Sequence, residues 1–138
     1  MNNKLSAEVV IKIPFFDVDS MDVVWHGNYA KYLEIARCSL MDKIDYNYVQ
    51  MKKNGHSWPI VNLAIKYIKP FFFEQEIKVK ADLIEYENYI KIKYLISDAK
   101  TGEKLTKAET TQMAIDMKTG ETCFESPQIL IDKIQKFL

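Results

Sequence analysis

The stretch Phe16–Tyr29, FDVDSMDVVWHGNY, decides the fold, because the hydrophobic pattern changes its period across it. Before it, apolar and polar residues alternate over Glu8–Phe15, which is the pattern of a half-buried strand. After it, apolar residues recur at helical spacing from Asn28 onward. The loop between the two carries carboxylates and an imidazole, and it ends at the free N–H groups of a helix start. These groups can attack a carbonyl carbon and stabilise the charge that develops on its oxygen.

The helical pattern predicts a long helix that is buried on most of its surface. Its main apolar positions are Tyr29, Leu33, Ala36, Leu40 and Ile44. Asn28 precedes them as the predicted N-cap, with a side-chain oxygen that accepts from an unpaired N–H. Tyr32, Ile35 and Met41 widen the apolar surface beyond one stripe. A helix of this kind is expected to be buried on most sides.

The remainder of the chain predicts strands joined by short links. The alternating runs are Val61–Tyr67, Ile77–Leu83, Ile90–Ile96 and Leu105–Met117. The links are 87–88, 100–103 and 118–121, which are hairpin connections and indicate an antiparallel meander. Short helices are predicted over 46–53 and 127–138. Because one helix cannot bury itself, the sheet must curl around the long one.

Size and composition exclude several classes of protein. The 138 residues suit one domain, and 48% hydrophobic with 28% charged residues is an ordinary globular balance. The formal net charge of zero argues against a general nucleic-acid binder. The sequence shows no signal core and no membrane span, and Cys38 and Cys123 lie in unrelated contexts, so we predict a reduced, cytoplasmic protein. His26 and His56 lack partners at ligand spacing, so no metal site is predicted.

The loop and the order of elements resemble the hotdog fold, and more narrowly the 4-hydroxybenzoyl-CoA thioesterase family with its Tol–Pal-associated acyl-CoA thioesterases. That family's pattern is Asp-x-Asp, small residues, two apolar residues, an aromatic residue, His or Tyr, and then Asn-Tyr opening the helix. Here it reads Asp17-Val18-Asp19, Val23-Val24-Trp25-His26 and Asn28-Tyr29, followed by Glu34-Ile35-Ala36-Arg37. The resemblance continues through 59–70. It implies one α+β domain over 1–138, an antiparallel β-sheet curled around a long central α-helix.

The resemblance also implies an activity, the hydrolysis of acyl-CoA thioesters, with coenzyme A as part of the substrate and no other cofactor. The catalytic carboxylate of the family falls on Asp19, as a general base for water or as a direct nucleophile, and both routes stay open. The chain has no Gly-x-Ser-x-Gly elbow, so a serine triad is unsupported. On spacing alone, the alternative for Asp19 is a loop carboxylate that caps the nearby turn. The family builds its site between subunits, which implies a homodimer or homotetramer.

Further roles follow from the same resemblance. His26 orients substrate or water through its imidazole, or its backbone N–H polarises the thioester oxygen together with the helix start. The alternative for His26 is a solvent-facing or packed side chain. The predicted substrate-binding residues are Val24, Trp25, Gly27, Asn28 and Tyr29. Asp17 is predicted to bind backbone N–H groups and thereby shape the loop.

Several positions depart from the family pattern or leave alternatives open. Some relatives have Tyr where this chain has Phe15, and Ser20-Met21-Asp22 adds bulk and charge where relatives have small residues. The turn 87–88 reads Glu-Asn where some relatives hold coenzyme A phosphates with basic residues. Phe71–Phe73 suits an acyl tunnel, a subunit contact or ordinary sheet core.

Three rival functions share the predicted fold. An acyl-ACP thioesterase uses the same chemistry but requires a basic docking surface for its acidic carrier. A hotdog dehydratase uses a His with a carboxylate on the opposing subunit, and the Asp-x-Asp loop disfavours it. A non-catalytic acyl-binding module needs neither Asp19 nor His26, so the presence of both disfavours that reading.

Overall fold

The fold pairs an antiparallel sheet with one long helix. The computed structural model describes residues 5–138. The helices are α1 Tyr29–Lys43, α2 Tyr48–Lys53 and α3 Gln128–Phe137. The strands are β1 Ser6–Lys12, β2 His56–Ser57, β3 Ile60–Tyr67, β4 Glu76–Glu85, β5 Ile90–Asp98, β6 Lys104–Gln112 and β7 Ile115–Asp116.

The main sheet has five strands in the order β1-β4-β5-β6-β3, and every neighbouring pair is antiparallel. The predicted meander is confirmed for β4, β5 and β6, which follow one another through hairpins. It is wrong for β3, which pairs with β6 and lies at the outer edge of the sheet. The chain between β3 and β4 contains Pro70 and is too long for a tight hairpin, so these two strands separate. The turn at 118–121 leads from β7 to a single bridge at Thr122.

The first strand lies at the edge of the sheet, begins before the alternating run Glu8–Phe15 and ends before Pro14. It ends at Lys12, and the chain enters a 3-10 turn over Phe15–Asp17. Pro14 lies between them and has no N–H to donate to a strand partner, which explains the end of the strand. Phe15 is therefore exposed instead of continuing the apolar face of β1. This turn directs the chain toward the start of α1.

Helix α1 packs its predicted apolar face, including Leu33, Ala36 and Leu40, into the core against the sheet. The other face is open to solvent, because Ile35, which was predicted to widen the apolar surface, remains exposed. Arg37 is also buried, and the hydrophobic pattern could not predict this because the residue is charged. Its guanidinium lies 3.1 Å from the Glu34 carboxylate and donates to the Tyr48 hydroxyl at 2.6 Å. These contacts fix α2 against α1.

The C-terminal segment forms the predicted amphipathic helix, α3, with Leu130 and Ile134 buried. Helix α2 ends before Asn54-Gly55, as predicted, and Gly55 adopts a φ of +83° that favours glycine. Across residues 5–138, every helix is too short or too polar to cross a bilayer.

Candidate active site

The loop that precedes α1 is folded back on itself. Val18 and Val24 form an antiparallel bridge, and the Asp19 N–H donates to the Val23 carbonyl at 2.8 Å. Val23 also bridges to Phe72, which attaches the loop to the segment that follows β3. The loop turns at Asp22, whose φ of +61° lies in the left-handed region. Aspartate tolerates that region better than most residues, so this turn accommodates a charged residue.

The two carboxylate oxygens of Asp19 have different surroundings. Oδ1 accepts from the Met21 N–H at 2.8 Å and from the Val23 N–H at 3.3 Å. Across residues 5–138, Oδ2 accepts no hydrogen bond, and the side chain is exposed. Asp19 therefore caps the turn, as the alternative interpretation expected, with one oxygen. The other oxygen is available to a ligand or water. The catalytic role of Asp19 therefore stays a prediction, and it is compatible with the turn cap.

Asp17 is the buried carboxylate of the pair, with 3% of its surface exposed. Its Oδ1 lies 2.5 Å from the Lys31 ammonium, and its Oδ2 accepts from the Tyr32 hydroxyl at 2.6 Å. The prediction that it binds backbone N–H groups is wrong, because two side chains of α1 reach it first. Burial, followed by the hydrogen bond to Asp17, raises the pKa of Tyr32, so this phenol stays protonated.

The backbone of Asp17 also holds the start of α1. Its carbonyl accepts from the Trp25 N–H at 3.2 Å and from the Asn28 side-chain amide at 2.9 Å. Asn28 occupies the predicted N-cap position, but its side chain donates here and does not cap the helix. The helix instead begins through a 3-10 turn over His26–Asn28, and Asn28 itself has helical dihedral angles. Asp17 thus joins the loop to the helix through both its side chain and its backbone.

The first turn leaves two backbone donors unpaired. In the described part of the chain, the N–H groups of His26 and Gly27 donate to no protein acceptor, as expected where no earlier helical carbonyl exists. The His26 side chain is exposed, with its ring 5.3 Å from the Trp25 ring. Across 5–138, no hydrogen bond joins the imidazole to Asp19. The loop therefore presents a carboxylate oxygen and two unpaired N–H donors.

The predicted substrate-binding residues divide into two groups. Val24 and Tyr29 are buried. The Val24 N–H donates to the Phe71 carbonyl at 2.9 Å, and the Tyr29 ring stacks on the Phe71 ring with 4.6 Å between their centroids. Burial raises the pKa of Tyr29, so its hydroxyl is neutral. Trp25 is 55% exposed and covers Gly27. Gly27 is exposed as well, and Asn28 is half-buried, so these predicted residues can be reached from solvent in the single chain.

Sequence reasoning missed the two side chains that hold Asp17. Lys31 stands in the first turn of α1, where the helix dipole disfavours a cation. The unfavourable position of Lys31 was the signal in the sequence, because a nearby carboxylate would offset it. The alternatives for Phe71–Phe73 also divide: Phe71 is in the core, whereas Phe72 and Phe73 are exposed beside the loop.

Adding a methyl group at Gly27 is expected to displace the Trp25 ring. A Cβ there would lie 2.2 Å from Trp25 Cζ3, and the exposed indole is the part that can move. We expect Gly27→Ala to raise acrylamide quenching of Trp25 fluorescence and to lower kcat/KM about tenfold, because misplaced groups near a reacting centre are costly. The same substitution in a Trp25→Phe background leaves only the buried Trp58 to emit, and the change should vanish. Unaltered quenching in Gly27→Ala would contradict this packing.

A five-stranded antiparallel sheet packed on one long helix is the hotdog architecture, and it places this chain among the hotdog-fold proteins. The chain belongs to the Thioesterase-like superfamily, whose family model matches residues 13–134. This membership confirms the predicted fold and the predicted class of enzyme.

Solved structures of other proteins agree with this assignment. The DHNA-CoA thioesterase of Staphylococcus aureus is 30% identical, with a TM-score of 0.79, over 86% of this chain and 80% of that one. A 1,4-dihydroxy-2-naphthoyl-CoA thioesterase of Synechocystis is 17% identical, with a TM-score of 0.84, over 94% of this chain and 96% of that one. An acyl-ACP thioesterase of Bacteroides thetaiotaomicron is 16% identical, with a TM-score of 0.80, over 94% and 53%. The last two likenesses show the fold alone.

Proposed function

We propose that this protein hydrolyses acyl-CoA thioesters to a free carboxylic acid and coenzyme A. The observation that carries the proposal is the different bonding of the two Asp19 carboxylate oxygens. Oδ1 accepts hydrogen bonds from the turn, whereas Oδ2 accepts none from residues 5–138. Superfamily membership and the 30% identity to a DHNA-CoA thioesterase support the same reading. The proposal includes the narrower 4-hydroxybenzoyl-CoA thioesterase family, a single domain over 1–138, a cytoplasmic location and no metal or redox cofactor.

The proposed chemistry uses the loop and the helix start together. Asp19 takes a proton from water as the water oxygen adds to the acyl carbon, or its own oxygen adds first and water then releases the acyl group. The carbon–sulfur bond breaks, the sulfur takes up the proton that the water supplied, and coenzyme A leaves as the thiol. The N–H groups of His26 and Gly27 are the donors proposed for the thioester oxygen, and one such donor is worth about 10²–10³ in rate. The positive end of the α1 dipole strengthens them.

We propose a homodimer, or a homotetramer of two such dimers, joined along strand β3. This strand pairs with β6 on one side, and its other edge is open. Both of its faces are exposed, including large apolar side chains at Ile60, Val61, Leu63 and Tyr67. A long, apolar and unpaired edge strand is a site for pairing with another chain. A second subunit there would cover β3 and close the ligand site between the two chains.

Leu63→Glu is expected to convert the dimer to a monomer and to abolish most of the activity. Leu63 is 42% exposed in the single chain, so the charge costs the monomer little but is expensive to bury in the proposed contact. Val49→Glu places the same charge on an exposed apolar position of α2 and serves as the control. Light scattering after size exclusion measures the mass of each variant. A wild-type monomer, or an unaltered Leu63→Glu assembly, would count against the β3 contact.

The proposed activity is tested by thiol release from short-chain, long-chain and aromatic acyl-CoA thioesters. Turnover of one class, saturable and proportional to enzyme, would establish the activity and its acyl preference together. Absence of turnover on every acyl-CoA would move the assignment to a carrier-protein substrate first. Tight acyl-CoA binding without turnover would instead support the acyl-binding module.

A further inference from the structure

A groove of about 450 Å³ lies on the face of the sheet that is turned away from the core. Residues from β3, β4, β5 and β6 line it, and lysines are prominent among them: Lys66, Lys93, Lys104 and Lys107. Leu95 supplies an apolar surface between β4 and β6. The volume lies within the range of small-molecule sites. The groove is separate from the loop that carries Asp19.

One end of the groove concentrates positive charge. Lys66 and Lys107 are directly opposite each other across the β3–β6 pair, an arrangement that destabilises a sheet when the charges are alike. Across residues 5–138, neither of them nor Lys104 forms an ion pair, whereas nearby Lys69 pairs with Glu103. The protein therefore retains a like-charge contact that a bound anion would relieve.

The other end of the groove carries acceptors. Lys93 is in register between Asp82 on β4 and Glu109 on β6. Asp82 Oδ1 is buried and accepts no hydrogen bond from any residue in 5–138. A buried acceptor without a donor is costly, so this oxygen favours a ligand that brings a hydroxyl or amino group.

We propose that this groove binds a nucleoside phosphate. The phosphate lies against Lys66, Lys104 and Lys107 through charge-assisted contacts. A ribose hydroxyl or base amino group donates to Asp82, and the base lies on Leu95. A simple polyanion would be repelled by the carboxylates, and a second copy of this lysine-rich face would repel its twin. The nucleotide comes either from the substrate, as the end of coenzyme A, or from a free nucleotide that acts as an effector.

Calorimetric titration of the intact protein with adenosine 3′,5′-bisphosphate tests the proposal without turnover. We expect Lys66→Gln/Lys107→Gln to weaken binding about tenfold or more, since each lost contact to a charged group is substantial. Lys52→Gln/Lys53→Gln removes the same charge from exposed positions of α2 outside the groove and should bind as wild type does. Asp82→Ala removes the acceptor and should therefore weaken binding of the nucleotide but not of inorganic phosphate. Equal loss in both double variants, no binding of the nucleotide, or equal affinity for inorganic phosphate would overturn the proposal.

Kinetic measurements distinguish the two sources of the nucleotide, coenzyme A and a free effector. This part of the test rests on the proposed function. If the substrate supplies the nucleotide, Lys66→Gln/Lys107→Gln raises KM for an acyl-CoA but not for the same acyl group on pantetheine. If a free nucleotide is the ligand, adenosine 5′-diphosphate binds as well as the 3′,5′-bisphosphate, and both KM values stay unchanged. Because the titration needs no catalysis, an inactive protein that binds nucleotide would refute the proposed function and leave this site intact.

Discussion

Asp19→Asn is expected to lower kcat on acyl-CoA thioesters by about 10²–10⁴-fold, the usual contribution of a positioned acid or base. Asparagine keeps an oxygen that can accept from the Met21 and Val23 N–H groups, so the turn persists. Its NH2 group replaces only Oδ2, and this group can neither accept a proton nor attack a carbonyl. Thiol release gives kcat, and thermal unfolding of the same variant should give an unchanged Tm.

Two comparisons make this result specific to the carboxylate. Asp22→Asn removes a charge from the same loop at an exposed position and should retain near-normal turnover. Asp19→Ala removes both the free oxygen and the turn cap, so it should lose stability as well as activity. Near-normal turnover in Asp19→Asn would refute Asp19 as the reacting group and leave it as a turn cap alone.

Asp17→Ala is expected to destabilise the protein by about 3 kcal/mol, because it leaves a buried partner unsatisfied. Most of this loss arises at Tyr32, whose hydroxyl is buried and donates to Asp17 at 2.6 Å. Lys31 contributes less, since its side chain is 46% exposed and regains water. Urea unfolding measures the change in the free energy of unfolding, and kcat should fall as the loop loosens.

Single substitutions on α1 separate these contributions. Tyr32→Phe removes the donor and should cost about 1 kcal/mol, and Lys31→Met should cost less. Because Asp17 and Tyr32 are in direct contact, the double variant should lose less stability than the two single losses combined. Strict additivity would show that the hydrogen bond does not stabilise the fold.

The sequence predicted the elements better than it predicted their neighbours. Helix α1 and the β4–β5–β6 hairpins follow from local periodicity and turn residues, which act over a few positions. The position of β3 depends on pairing between residues far apart in the chain, as in Leu63 with Thr110. No local pattern specifies such a pair, so the meander was extended wrongly to β3.

The candidate site was predictable where the motif is local and not where partners are distant. Asp19 and the start of α1 lie within one short stretch, and the structure places them in one loop. The charged partner of the loop was hidden, because Lys31, which pairs with the buried Asp17, looks like a solvated residue in sequence. Likewise, the contact between Lys66 and Lys107 exists only once the β3–β6 register is known.

The double attachment of Asp17 has a consequence for how such a protein changes over evolutionary time. Its carboxylate holds Lys31 and Tyr32, and its carbonyl holds Trp25 and Asn28, so loop and helix start move as one body. The proposed reacting groups therefore keep their spacing when distant side chains mutate. Substitutions elsewhere in the protein can then accumulate while the geometry of the loop and the helix start is retained.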